Sequence, residues 1–222
     1  MLSTIKIATL NLCLGIRNKK DAVKKLIQDN EIDILCMQET EIEANYPCHL
    51  LAFKGYNYES EQNDLKSRCG IYVSDKISYV RRTDIEIVNK HIIVIDLNDS
   101  NNTRIINLYR PFNPFGLTQK QFFESQLSLL NNIINQNTIL LGDFNLDHSK
   151  KFDINYTHKH YFYALNEEFS RHNLHQLINF NTWSRVINGT ISSSILDHLY
   201  LKDVTKVLNI CALTPPFGDH LL

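Results

Sequence analysis

The chain has 222 residues, 23 Lys and Arg against 24 Asp and Glu, a formal charge of −1, and 43% apolar and 21% charged side chains. This is ordinary globular usage, which excludes disorder as the main state, and a domain of this length buries roughly 70% of its unfolded surface, enough for a core without staples. No apolar run exceeds the five residues Tyr161–Leu165, which excludes a membrane-spanning helix, and Lys6 with its polar neighbours argues against a secretory signal in Met1–Leu10.

The five cysteines, at 13, 36, 48, 69 and 211, are odd in number and none are three apart. A disulfide framework or a cysteine zinc site is not expected, and a reducing compartment is. The Asn-Xaa-Ser/Thr triplets at Asn155 and Asn188 are read as chance. Near-neutral charge argues against holding nucleic acid by bulk electrostatics, while leaving room for a local basic face or for metal-assisted binding. With no linker, repeat or low-complexity block, residues 1–222 read as a single domain.

In chain order, Ile5–Leu10 predicts a strand and Asn18–Asn30 a helix whose apolar face is Val23, Leu26 and Ile27. Strands follow at Asp33–Met37, Gly70–Ser74, His91–Leu97 and Arg104–Tyr109. A helix over Thr118–Gln136 opens on a capping-box spacing, Thr118 and Gln121, and stacks Phe122, Phe123, Leu127, Leu130, Ile133 and Ile134. Thr138–Leu141 is a strand, Lys159–His172 a weaker helix, and Ile195–Leu201 and Val204–Leu213 further strands. This mixture suggests two packed sheets with helices outside.

Polar groups close several apolar strands, and ligands of α/β proteins gather at strand ends. In Ile5–Asn11, Ile5, Ile7, Thr9 and Asn11 share a face, so an apolar row ends in an amide; a turn-forming Asn is the plain reading. Asp33–Thr40 ends a buried-type strand in Glu39, a carboxylate that must be solvated, paired or metal-bound. In Ile139–Asp147, Asp143 and Asn145 point the same way in extended chain, after a Gly142 that permits close approach; a polar loop and a grip on phosphate and metal fit equally. Asp197 shares a strand face with Ile195 and Leu199 and needs a strong partner, for which His220 is the candidate. His198 lies on the opposite face and reads as surface or packing, and Trp183 as core.

Taken together, these elements resemble the endonuclease/exonuclease/phosphatase family, which includes pancreatic deoxyribonuclease, the apurinic/apyrimidinic endonucleases and the endonuclease domains of non-LTR retrotransposons. Ile7–Asn11 is similar to the family's first motif, and Met37-Gln38-Glu39-Thr40 to the second, whose Glu is the principal metal ligand. Asn107-Leu108-Tyr109-Arg110-Pro111 resembles the Asn-x-Tyr-x-Pro segment, and Gly142-Asp143-Phe144-Asn145 the most recognisable signature. Thr182-Trp183 with Ser194–His198 resembles the retrotransposon branch, and Gly218-Asp219-His220 the terminal Ser-Asp-His, with Gly in place of Ser. Short motifs are weak singly; in this order at strand ends they are strong.

The resemblance implies an α/β four-layer sandwich of two packed mixed β-sheets flanked by helices, as in deoxyribonuclease I. It implies an enzyme that nicks double-stranded DNA, leaving a 3′-hydroxyl and a 5′-phosphate. Glu39, Asn11 and Asp219 would hold Mg²⁺, with Mn²⁺ as a substitute. Asp143 and His220, the latter oriented by Asp197, would share acid and base work. Asn145 and Tyr109 would contact the phosphate, Arg110 and Thr182 the substrate, and Lys150 and Lys151 the DNA at the rim. The chain stops two residues after His220, which suggests the N-terminal part of a polyprotein with a reverse transcriptase following, acting in the nucleus. The alternatives are another phosphodiesterase of the same fold (an abasic-site repair endonuclease, sphingomyelinase or inositol phosphatase) and a catalytically silent nucleic-acid-binding module.

Overall fold

The structure is a computed structural model that describes residues 4–187, 189–215 and 217–221; Asn188 of the second triplet and the first three residues of the N-terminal stretch fall outside these. β1 (Ile7–Asn11) and β2 (Ile34–Glu43) pair in parallel, which requires a crossover, and α1 (Lys20–Asn30) supplies it. β2 then pairs antiparallel with β4 (Lys66–Ser74), which carries β3 (Tyr56–Ser60) on its far side. The sheet order is β1-β2-β4-β3.

The second sheet contains β5 (Tyr79–Arg81), β6 (Ile92–Leu97), β7 (Arg104–Tyr109), β8 (Thr138–Asp143), β9 (His175–Gln176) and β12 (Asp197–Leu201). Its order is β5-β6-β7-β8-β12-β9. Only β7 and β8 are parallel, joined through α2 (Gln119–Ile133), while α3 (Lys159–Arg171) lies between β8 and β9 in the chain. The capping box expected at Thr118 and Gln121 is formed and starts α2. β10 (Trp183–Ile187) and β11 (Thr190–Ser194) make a separate antiparallel hairpin.

Three apolar clusters define four layers. Ile34, Cys36, Ile71 and Val73 of the first sheet meet Ile93, Ile95, Ile105 and Leu141 of the second. The outer face of the first sheet packs Leu10, Leu35, Met37 and Tyr72 against Val23, Leu26 and Ile27 of α1. The outer face of the second packs Val94, Ile106 and Leu140 against Phe123, Leu130 and Ile133 of α2 and Phe162, Leu165 and Phe169 of α3. Both faces of the central strands are therefore covered, which is why they read as unbroken apolar runs rather than alternating ones. All five cysteines are free thiols, and no described helix is long and apolar enough to cross a membrane.

The structure corrects Val204–Leu213. Asp203 caps a short 3₁₀ turn over Val204–Lys206, and the chain beyond is irregular. β12 is already flanked by β8 and β9, so no sheet edge beside it is free for another strand. The return segment instead crosses back to the hairpin, where Trp183 bridges His220.

Candidate active site

Polar ends of strands from both sheets converge at one edge of the interface. A buried amide pair sets the sheets against each other: Gln38 Nε2 donates to Asn107 Oδ1 at 2.6 Å, and Asn107 Nδ2 donates to the carbonyls of Met37 and Gly70 at 2.9 and 3.0 Å. Asn107 belonged to a recognised motif, and its work is to dock the sheets.

Glu39 sits in an irregular stretch of β2. Gln38 opposes Cys69 and Ile42 opposes Ser67, so residues 39–41 face Arg68 alone. Glu39 and Glu41 take left-handed φ values of 54° and 52°. Such a bulge re-aims side chains at a strand end, and here it turns the Glu39 carboxylate towards β1 and β7. Asn11 Nδ2 donates to Glu39 Oε1 at 3.1 Å and to Asp143 Oδ2 at 2.8 Å, so one amide joins carboxylates from the two sheets. The Tyr109 hydroxyl donates to Glu39 Oε1 at 3.2 Å.

Asp143 ends β8, paired with Tyr109 on one side and Asp197 on the other. Burial first, then the Asp197 carboxylate, push its carboxyl above the usual range, against the pull of His220 and of hydrogen bonds from Asn145 and Asn11. Burial and the Glu39 and Asp143 charges likewise raise the Tyr109 hydroxyl. His220 Nδ1 lies 2.8 Å from Asp197 Oδ2. Burial alone would discharge this imidazole, yet Asp197, with help from Asp143 and Asp219, lifts it to about 9. Asp219 is fixed by the Trp183 indole, whose Nε1 donates to Asp219 Oδ2 at 2.9 Å. Trp183 is thus half-buried at the site rather than in the core.

Asn145 departs from the extended geometry expected of it. Its φ is 48°, its N–H donates to Asp143 Oδ1 at 2.8 Å, and its Nδ2 donates to the Arg110 carbonyl at 2.7 Å. The chain turns tightly after Asp143, because the carboxylate captures the N–H two residues on. Asn11 also differs in detail: Oδ1 accepts from Cys13 N–H at 2.8 Å, so its amino group, not its oxygen, faces the carboxylates.

Two expected substrate contacts are buried. Arg110 is 2% exposed. Its guanidinium stacks over the rings of Tyr161 and Phe123 at 4.6 and 5.6 Å and donates to the Phe144 and Asn145 carbonyls at 3.4 and 3.3 Å. Thr182 is buried, and its hydroxyl accepts from the N–H groups of Leu196 and Asp197 at 3.1 and 3.0 Å, which positions Asp197. Lys150 lies 3.5 Å from Asp147, and Lys151 covers the Phe152 ring. His198 is packing, as expected: fully buried and stacked on Phe144 at 4.7 Å.

By type the donors suit a hard divalent ion, though among the described residues no three His, Cys, Asp or Glu side chains are gathered as a ready metal-binding group. Glu39, Asp143, Asp197 and Asp219 outnumber the single imidazole His220, and Asp197 Oδ1 is buried without a partner among the described residues. Glu39 and Asp219 are only partly buried, and Mg²⁺ binds through one or two carboxylates while retaining waters.

The sequence comparison and the fold agree. The model of the Endonuclease/Exonuclease/phosphatase family matches residues 8–220. Among solved structures, the chain is similar to the endonuclease domain of TRAS1, a telomere-specific non-LTR retrotransposon, at 14% identity and a TM-score of 0.66 over 90% of this chain and 86% of that one. It is similar to the AP endonuclease LMAP from Leishmania major, at 18% identity and a TM-score of 0.69 over 98% and 85%. It is also similar to the 3′ phosphatase NExo from Neisseria bound to a product DNA hairpin, at 16% identity and a TM-score of 0.69 over 98% and 97%. With the fold and the ordered strand-end residues already in hand, this chain belongs to the Endonuclease/Exonuclease/phosphatase family.

Proposed function

We propose that the protein is a divalent-metal-dependent endonuclease that hydrolyses a phosphodiester of double-stranded DNA, leaving a 3′-hydroxyl and a 5′-phosphate. The observation that carries this reading is the Asn11 amide bonded at once to Glu39 and Asp143, beside the Asp197–His220 pair. Glu39 and Asp219 are the residues to hold Mg²⁺ or Mn²⁺, with Asn11 spacing the carboxylates. A bound ion would supply positive charge against that of the phosphate and of the leaving 3′ oxygen.

The rest is the work of the chain. Asp143, a buried carboxylate whose proton affinity is raised, orients the attacking water and takes its proton. His220, kept as an imidazolium by Asp197, donates to a phosphate oxygen as negative charge grows there. The Tyr109 hydroxyl, already directed into the site by Glu39, contacts the leaving side of the phosphate. Asn145 holds the Asp143 turn and presents its remaining amide oxygen and N–H near the scissile group.

In the further reading, the chain is the endonuclease domain of a non-LTR retrotransposon, acting in the nucleus and joined to a reverse transcriptase that extends the 3′-hydroxyl. The Thr182-Trp183 and Ser194–His198 motifs and the likeness to the TRAS1 domain support it.

The test is nicking of supercoiled plasmid with Mg²⁺, with chelator, and with Glu39→Gln and Asp143→Asn. Mg²⁺-dependent nicking lost in both variants is expected, with ends that a polymerase extends directly. Metal-independent nicking, or hydrolysis of sphingomyelin or inositol phosphates in place of DNA, overturns the reading.

A further inference from the structure

The bulge that presents Glu39 has an opposite number. Arg68 is the one residue of β4 facing residues 39–41 of β2. Its backbone N–H donates to Glu61 Oε1 at 2.6 Å, and Glu61, itself buried, also holds His91 Nδ1 at 2.9 Å. The backbone at Arg68 is therefore anchored by a buried acid–imidazole pair. The side chain is anchored as well. Nε lies 3.2 Å from Glu41 Oε1, and the guanidinium carbon lies 5.9 Å from the centre of the Tyr109 ring. Neither Nη makes a hydrogen bond within the described residues, and the side chain is 34% exposed. Lys66 shares the same Glu41 carboxylate at 2.9 Å, so two cations flank that one acid.

We infer that Arg68 is a phosphate-binding residue of this site: its free Nη groups take a backbone phosphate of the DNA adjacent to the scissile one, on the Tyr109 side. The inference rests on the endonuclease reading above. Other cations are engaged, Lys66 by the shared Glu41 carboxylate. Lys19 Nζ is bonded to the carbonyls of Leu12 and Cys13, Arg110 is buried, and Lys150 pairs with Asp147. A planar guanidinium fixed by one nitrogen and by an aromatic face presents the remaining two as a ready fork for phosphate oxygens. An exposed Arg–Glu pair alone would contribute almost nothing to stability, which gives no structural reason for the double anchoring.

The test measures duplex binding over a salt series and nicking kinetics with Mg²⁺ for the wild type, Arg68→Gln, Arg68→Lys and Glu41→Gln, with circular dichroism melts as the folding control. Arg68→Gln is expected to weaken binding and raise KM about tenfold and to reduce the slope of log K against log salt by about one, while kcat falls less than threefold. Arg68→Lys recovers the slope but only part of the affinity, lacking the fork. Glu41→Gln, which leaves Arg68 in place and removes a competing acid, binds at least as tightly as the wild type. Unchanged affinity and salt slope in Arg68→Gln overturns the inference, as does a kcat loss at unchanged KM, which would make Arg68 a positioning residue for Tyr109. Absence of Mg²⁺-dependent nicking in the wild type refutes the endonuclease reading by itself; the binding series still reads the Arg68 contact, and a wild type that does not bind duplex refutes both.

Discussion

Replacing Arg110 with Met separates two assignments for a residue whose sequence context suggests a DNA contact and whose position in the structure is under the Asp143–Asn145 turn. The hydrogen bonds to the Phe144 and Asn145 carbonyls, at 3.4 and 3.3 Å, are long, so each contributes at most about 1 kcal/mol net. The contacts with Tyr161 and Phe123 add about 1–2 kcal/mol. Against this stands the cost of a buried cation, several kcal/mol in general, visible here as a guanidinium whose pKa burial lowers and whose Nη2 has no partner among the described residues. The terms nearly cancel, so Arg110→Met should change stability by less than about 2 kcal/mol in denaturant melts. Activity responds differently, because the guanidinium braces the backbone that carries Asp143 and Asn145. A misplacement on the order of 1 Å costs about 10²-fold in rate, so kcat for plasmid nicking should fall about 10–100-fold, with KM and the salt slope unchanged. A variant that keeps kcat but loses affinity and about one unit of salt slope would refute the reasoning and restore Arg110 as a DNA contact.

Three further outcomes follow from positions already described. Gly142 has φ +140°, and a Cβ there would sit 1.9 Å from the Leu108 carbonyl oxygen; Gly142→Ala should destabilise by more than about 3 kcal/mol or prevent folding, as a thermal melt would show. Asp197→Asn removes the main support of a His220 pKa near 9, so the alkaline limb of the pH–rate profile in Mg²⁺ should move to lower pH by more than one unit; an unmoved limb would disprove the role of the pair. His198 is held down to about 3 by burial. The unfolded chain takes up this proton near pH 6.5 and the folded chain only near 3, so this contribution is complete above about 6.5 and is lost as pH falls. At pH 4.5 the wild type should thereby lose about 2–3 kcal/mol, a loss that His198→Gln, compared at pH 7 and 4.5, should largely lack.

The central strands were legible because burial on both faces writes them as unbroken apolar runs; Arg104–Tyr109 was expected and is found with the same ends. Asn11, Glu39, Asp143 and Asp197 were legible because each places a costly polar group where such a run stops. Other features depend on long-range neighbours. Arg110 reads as an exposed cation until α2 and α3 bring Phe123 and Tyr161 over it. The hairpin β10–β11 exposes Val186 and Ile191 and so lacks the alternation that marks a half-buried strand. Val204–Leu213 has strand-like composition, but pairing is decided by which sheet edges remain free. Arg68 gave no signal, since its position follows from the irregularity opposite it in β2.

The first sheet is drawn wholly from residues 7–74 and the second wholly from residues 79–201. A cut in the short connection at 75–78 would yield one fragment bearing Asn11, Glu39 and Arg68 and another bearing Tyr109, Asp143, Asp197 and His220. Neither piece owns the whole set of groups proposed to react, so recovered turnover on mixing them would report reassembly of the halves directly, and the protein would serve as its own complementation sensor.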